Sequence, residues 1–204
     1  MQKGVKKVGK SIMADIKIKE EKMLYEGRSR LKEYRFDIRK KDGNWEEQKR
    51  EVFDHGDAVT VLLYNSENKT VILTRQFRLA TYINGNAGGE LLEACAGLLE
   101  DGEAPETAVI REAEEETGYK IHDVQKVCEA FTSPGAYAER VHFYVAPYKA
   151  EQKESAGGGL EEEGEEVKVI EMPFSEALKK IESGSIIDAK TILLLYYLQT
   201  KSLM

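Results

Sequence analysis

Cysteine is scarce in this chain: its 204 residues include two, Cys95 and Cys128. They form no CxxC pair, and no Cys/His cluster has zinc spacing, so neither a disulfide framework nor a zinc fold is expected. Both thiols read as small buried side chains of a protein kept in a reducing compartment. Positive charge is also in deficit: 30 Lys and Arg stand against 37 Asp and Glu, a net charge of −7. That sign does not suit non-specific nucleic-acid binding through a basic face. An anionic ligand would have to be met by local cations or by metal, because the overall field does not attract it. No run of about 18 apolar residues occurs, so no membrane span is expected. Lysines near the start (Lys3, Lys6, Lys7, Lys10) are followed by no apolar h-region, so no secretory signal is expected either. The expectation is a cytoplasmic protein with neither nucleic-acid nor membrane partners.

Hydrophobic residues make up 41% of the chain, enough for a packed core. Residues 1–20 are lysine-rich and without clear periodicity, a frayed start that settles into a strand. Residues 30–40 and 46–54 read as strands about the turn Lys41-Asp42-Gly43-Asn44. Asp57 to Tyr64 and Thr70 to Phe77 are apolar, β-branched runs around Asn65-Ser66-Glu67-Asn68, a hairpin pattern. Residues 81–89 read as loop and Glu90 to Ala96 as one strand. Further strands are expected at 124–131, 140–147 and 167–172, and helices at Phe174–Glu182 and Ala189–Lys201. His55 and His142 read as packed strand residues, since no second His or Cys accompanies them at ligand spacing. Strands with few helices in this order predict an α+β fold, a mixed sheet flanked by helices. Residues 1–54 are expected to form an N-terminal antiparallel β segment and 55–204 the main domain.

The stretch GLLEDGEAPETAVIREAEEETG, from Gly97 to Gly118, is the most informative in the chain. Pro105 suits the first turn of a helix and Gly118 the position just past its end, so a helix is predicted from Pro105 to Thr117. Glu112 and Glu116 then lie one turn apart on one face, where like charges repel. A cation between them explains the pairing, and a hard divalent ion such as Mg²⁺ suits all-oxygen ligands. The bland alternative is a solvated acidic face partly neutralised by Arg111.

The spacing Gly97, five residues, Glu103, seven residues, then Arg111-Glu112-Ala113-Glu114-Glu115-Glu116-Thr117-Gly118 resembles the signature of the Nudix hydrolases at every fixed position. Pro134, inside Ser133-Pro134-Gly135, is placed as in the ADP-ribose and nucleotide-sugar branch. The segments KREVFD (49–54), RQFRLATYINGN (75–86), LLEACAGLLE (91–100), TSPGAYAERVHFYVA (132–146), AGGGLEEEGEEV (156–167) and DAKTILLLYYLQT (188–200) look like the bacterial GDP-mannose pyrophosphatases within it. Residues 1–28 match poorly.

The resemblance implies a Nudix α/β/α sandwich and Mg²⁺-dependent hydrolysis of GDP-mannose to GMP and mannose 1-phosphate, by a homodimer with exchanged N-terminal segments. It implies Ala96 (through its carbonyl), Glu112, Glu116 and Glu163 as metal ligands. Glu115, one residue off the Glu112/Glu116 face, would complete a second metal site, and Arg111 would orient the carboxylates. Glu163 would be a metal ligand or the general base, with Glu162 beside it as the competing candidate, and glycines 157–159 would act as a hinge for that loop. Lys49, Arg50, Glu51, Arg78, Ala96, Gly97, Leu98, Glu139 and Lys190 would meet the substrate, Arg78 as a phosphate contact and Lys190 as a contact to phosphate or sugar. Two other readings stay open: the same chemistry on ADP-ribose, and a non-catalytic ligand-sensing module. Such modules usually lose box carboxylates, and this chain keeps Arg111, Glu112, Glu115 and Glu116.

Overall fold

The computed structural model describes residues 15–159 and 166–204. The chain divides into two compact units, one comprising the described part of Met1–His55 with Gly135–Tyr137, the other Gly56–Pro134 with Ala138–Met204. In the first unit, β1 (Ile16–Glu26), β2 (Arg30–Arg39) and β3 (Trp45–Asp54) form an antiparallel sheet in that order. The β2–β3 turn falls where Asp42-Gly43-Asn44 predicts it: the Asp42 carboxylate accepts the Asn44 N–H at 3.0 Å, an Asx turn. Phe53 stacks on Tyr137 with ring centroids 5.0 Å apart, and His55 meets Tyr137 edge-on at 5.0 Å, so this histidine is a packing residue. Every residue of β1 is exposed, including Ile18 and Tyr25 at 60% and 61%, an apolar load that a lone strand does not bury.

The second unit is built on β4 (Ala58–Asn65). Its residues are buried from Ala58 to Leu63 without a polar-facing alternation, the mark of a strand covered on both faces. Val59, Val61 and Leu63 face the helix α2 (Pro105–Thr117), packing with Ala108, Val109 and Ala113. Ala58 and Leu62 belong to the opposite core with Leu194, Leu195 and Leu198 of α4 (Ala189–Thr200) and Ala177 of α3 (Phe174–Glu182). The sheet runs β10-β5-β4-β9-β8, with β5 (Thr70–Phe77), β8 (Gln125–Phe131), β9 (Arg140–Pro147) and β10 (Lys168–Pro173). β4 and β9 pair parallel and the other pairs are antiparallel, giving the mixed sheet between helices that the sequence predicts. No helix among the described residues is long and apolar enough to cross a membrane.

Two expectations are corrected. The segment read as loop at 81–89 begins with a one-turn helix, α1 (Leu79–Ile83), which carries no side-chain cap and so leaves no signal in the sequence. The run Glu90–Ala96 is not one strand: it divides into β6 (Glu90–Glu93), paired with β5, and β7 (Cys95–Leu98), paired with β4. The hairpin β4–β5 is paired directly over Leu63–Asn65 only, because the two strands then diverge to admit β6 and β7.

Helix α2 ends at Gly118, in the left-handed conformation at φ +75°, with its N–H on the Glu114 carbonyl at 2.9 Å. A Cβ there would run into the backbone of Ser155. Gly118→Ala is expected to cost at least about 1 kcal/mol from φ alone, with the backbone collision added. Urea denaturation checks this, and an unchanged midpoint would mean that the Ser155 backbone yields freely.

Candidate active site

The residues of β6, β7 and α2 meet along one short stretch of chain, 93–98. Glu116 lies on the inward stripe of α2 with Val109 and Ala113, and is 1% exposed. Its carboxylate accepts the Ala96 N–H at 3.3 Å and the Gln76 side-chain amide at 3.5 Å. Glu112, one turn earlier, lies against the next residue of β7: a Cβ on Gly97 would overlap the Glu112 carboxylate. Glycine at 97 therefore makes room for a carboxylate, and consecutive residues of one strand, Ala96 and Gly97, hold the two acids.

Arg111 joins the rest. Its Nε and Nη2 donate to the two oxygens of Glu103 at 3.1 and 3.0 Å, a bidentate fork. Nη1 donates to Glu112 at 2.9 Å and to Glu115 at 3.0 Å, and Nη2 also reaches the Leu98 carbonyl at 3.4 Å. The Glu103 hydrogen bonds, then the Glu112 charge, drive the guanidinium above its ordinary value, and Arg111 in turn holds Glu103 below the usual carboxylate range. Three carboxylates about one guanidinium, with Glu116 beside them on the same helix, leave an excess of negative charge made of hard oxygen donors, which fits a divalent cation. Glu112 and Glu116 with the Ala96 carbonyl are the residues that would hold it. Among the described residues, no three Asp, Glu, His or Cys side chains form a complete metal-binding group. The fourth expected ligand, Glu163, and its competitor Glu162 lie outside the described residues.

Glycines 158 and 159 are tied to this helix. Gly158 and Gly159 donate their N–H groups to the carbonyls of Glu116 and Glu115 at 2.9 and 3.2 Å, satisfying the last turn of α2. In this structure the glycines expected as a hinge cap the end of α2. An open groove along the outer side of α2 is lined by Ile110, Arg111, Glu115, Ser155 and Gly157. Glu114 is exposed and makes no side-chain hydrogen bond in this cluster. Glu114→Gln is accordingly expected to leave kcat and KM within about twofold of the parent, a surface change of the ordinary kind. Steady-state kinetics check it, and a larger loss would make the acidic run matter as a whole.

A second cluster carries the cations. Arg78, just after β5, donates Nε to the Glu93 carboxylate at 2.7 Å, and Lys190 on α4 lies 3.6 Å from the other oxygen of Glu93. Asp188 caps α4 by accepting the Thr191 N–H at 2.9 Å and pairs with Lys190 at 2.7 Å. Burial works against the charge of Arg78, but Glu93, with Glu116 and Asp188 behind it, holds the guanidinium above its ordinary value. Burial likewise opposes the Lys190 charge, and Asp188 and Glu93 outweigh it, raising the ammonium. Both side chains stay cationic at neutral pH.

Of the other expected residues, Leu98 is partly exposed at the end of β7, and Glu139 accepts a hydrogen bond from Thr132 at 2.6 Å. Lys49, Arg50 and Glu51 are exposed on β3 of the first unit, Arg50 donating to the Lys49 carbonyl at 2.7 Å and to Gln48 at 3.0 Å. His142 is buried on β9 with Nδ1 3.5 Å from Glu129, and among the described residues it belongs to no group of three or more metal-ligating side chains. Gln76, Glu93 and Asp188 are the residues that sequence reasoning missed. Gln76 had a signal: it is a polar residue near the end of the apolar run of β5, two positions before Arg78. An acid in the apolar run of β6 was the signal for Glu93, and Asp188 two residues before Lys190 the signal for the cap.

A Nudix domain matches residues 54–194, and the N-terminal domain of the GDP-mannose pyrophosphatase NudK matches residues 15–53. Proteins named GDP-mannose pyrophosphatase from Escherichia coli (strain K12) and Escherichia coli O9:H4 (strain HS) are each 48% identical over 184 residues, covering 90% of this chain and 95% of theirs. One of that name from Shigella boydii serotype 4 (strain Sb227) is 48% identical over the same shares. Nudix hydrolases generally use divalent metal ions, in keeping with the oxygen-rich cluster on α2. The chain belongs to the Nudix hydrolase family, and within it is a pyrophosphatase.

Proposed function

We propose that this protein hydrolyses the diphosphate of GDP-mannose, adding water across the P–O–P link to give GMP and mannose 1-phosphate, with Mg²⁺ as its metal. The observation that carries the substrate is the 48% identity to GDP-mannose pyrophosphatases across 90% of the chain, which extends through the N-terminal domain as well as the box. The geometry supports the chemistry. Arg78 and Lys190 are cations suited to diphosphate oxygens, and the Glu112/Glu116 pair on α2 supplies the ligands for a cation. When bound, the metal would neutralise developing charge on phosphate oxygens and activate water. The chain's own part is to hold the diphosphate by Arg78 and Lys190, to present the backbone of Ala96, Gly97 and Leu98, and to keep Glu112, Glu115 and Glu116 in place through Arg111.

Lys49, Arg50, Glu51 and Glu139 complete the substrate contacts in this reading, the first three across a homodimer formed through the N-terminal strands. The fully exposed β1, with Ile18 and Tyr25 in solvent, supports such an exchange. That neither Cys95 nor Cys128 is in a disulfide fits a reducing compartment and supports a cytoplasmic site of action. Glu163 serves as general base or metal ligand. Glu163→Gln is expected to lower kcat with little change in KM, and a rise in KM alone would make it a binding residue.

The test is a substrate panel at fixed Mg²⁺ comparing GDP-mannose, ADP-ribose, ADP-glucose, NADH and coenzyme A by kcat/KM, with products identified. GDP-mannose should lead and give GMP with mannose 1-phosphate. ADP-ribose in the lead would keep the chemistry and overturn the base assignment. No turnover of any of them would point to a sensing module.

A further inference from the structure

We propose that Glu93 is a positioning residue for phosphate recognition: its buried carboxylate fixes Arg78 through Nε and shares its second oxygen with Lys190, so that the two cations stand ready for a diphosphate. This rests on the reading of Arg78 and Lys190 as phosphate contacts. The Glu93 side chain is 4% exposed, whereas the Arg78 side chain is 39% exposed, so one end of the pair is locked in the protein and the other opens to solvent. Among the described residues the Arg78 guanidinium donates a hydrogen bond through Nε alone, to Glu93 at 2.7 Å. Both terminal nitrogens are left to make the parallel pair of bonds that suits a phosphate edge. A flexible guanidinium would lose that orientation on every encounter, while one already held by Nε loses less freedom on binding.

Lys190 is drawn into the same arrangement. Its ammonium lies between Glu93 at 3.6 Å and Asp188 at 2.7 Å. Two carboxylates and two cations balance, which lets Arg78 and Lys190 sit together without a bound anion. The spacing between the elements that bear them is set next door. Thr191 accepts the Ala94 N–H at 2.7 Å and donates to Asp188 at 2.6 Å. Ala94 follows Glu93 and Thr191 follows Lys190, so this link ties β6 to the start of α4 at the point where the cations converge. Both oxygens of Glu93 are turned to cations, Oε2 to Arg78 and Oε1 to Lys190, so its carboxylate acts through them.

Glu93→Gln keeps the shape and one acceptor and removes the charge. Made alone, in an Arg78→Ala background, and alongside Arg78→Ala, it gives a double-mutant cycle read by KM, kcat and melting temperature with GDP-mannose and Mg²⁺. The expected result is a rise in KM of about tenfold with a smaller change in kcat, and a markedly smaller effect when Arg78 is already alanine. Equal losses in both backgrounds, in step with a lower melting temperature, would overturn the proposal in favour of a merely structural Glu93. So would a KM within twofold of the parent. If Glu93→Gln does not fold, Glu93→Asp carries the same cycle, since it keeps the charge and withdraws it from Arg78. Failure of the parent protein to turn over GDP-mannose would overturn the substrate reading and this inference together, whereas a working parent with an unchanged variant overturns the inference alone.

Discussion

Glu116→Gln is expected to lower kcat by about 10²–10³-fold, the loss typical of removing one preorganised electrostatic group from a reacting centre, and to raise the melting temperature of the metal-free protein. The two effects have one cause. Glu116 is 1% exposed, one helical turn from Glu112 and next to Glu115. A carboxylate so placed gives up hydration and faces like charge along its own helix. Arg111 offsets part of this by bonding Glu112 and Glu115 at 2.9 and 3.0 Å, with Glu103 taking the other side of the guanidinium. An anionic centre held for a cation is a site where function is kept at the expense of stability. Glutamine retains an acceptor for the Ala96 N–H and removes the charge. The melting temperature should rise by a few degrees, since about 1 kcal/mol moves a domain of this size by roughly 2–4 °C. Added Mg²⁺ should stabilise the parent by mass action and leave the variant nearly unmoved. Differential scanning fluorimetry with and without Mg²⁺, alongside phosphate release, reads all three. A variant that keeps its activity would remove Glu116 from the site. A metal-free variant less stable than the parent would mean that the Glu116 hydrogen bonds outweigh its charge.

What was legible in the sequence was what is local in it. Helix α2 runs from Pro105 to Thr117 as its proline start and glycine stop require, and β5 spans Thr70–Phe77 as its apolar run predicts. The box was legible for the same reason: Arg111, Glu112, Glu115 and Glu116 are brought together by one helix, and Gly97 and Glu103 by a short approach to it. The break at Ala94 was not legible. Nothing in ELLEACA marks it, because it exists only where β6 follows β5 and β7 follows β4. Arg78 and Lys190 could be named by resemblance, but the carboxylates that hold them could not. Glu93 and Asp188 are chosen by a contact between the end of β6 and α4, where Ala94, just after β6, bonds Thr191, 97 positions away. Each carboxylate leaves a local hint in the sequence, but no spacing rule joins Glu93 to Arg78 and Lys190; the folded contact does.

Gly97→Ala is expected to lower kcat/KM by about 10²-fold, as sub-ångström to ångström misplacement of a catalytic group can, while leaving the fold almost intact. Nothing in the backbone demands glycine here: Gly97 lies in a strand, without the positive φ that makes Gly118 irreplaceable. The obstacle to a methyl group is the Glu112 carboxylate itself. It is the end of a flexible side chain and can swing aside, so the strain is relieved locally and the melting temperature should move by no more than about 2–4 °C, equivalent to roughly 1 kcal/mol. The displaced carboxylate has lost its place, however. Glu112 accepts from Arg111 at 2.9 Å, and its movement also loosens the guanidinium that holds Glu115. The Mg²⁺ concentration for half-maximal activity should therefore rise by about tenfold or more, as when the support of a metal ligand is removed. Gly118→Ala provides the contrast, for its methyl would meet the backbone of Ser155, which cannot rotate away. One glycine serves the fold and the other serves a carboxylate. Kinetics over a Mg²⁺ series and thermal melts on both variants separate the two: Gly97→Ala with full activity at low Mg²⁺ would show that Glu112 works from a different rotamer, and a large drop in its melting temperature would make Gly97 a structural glycine after all.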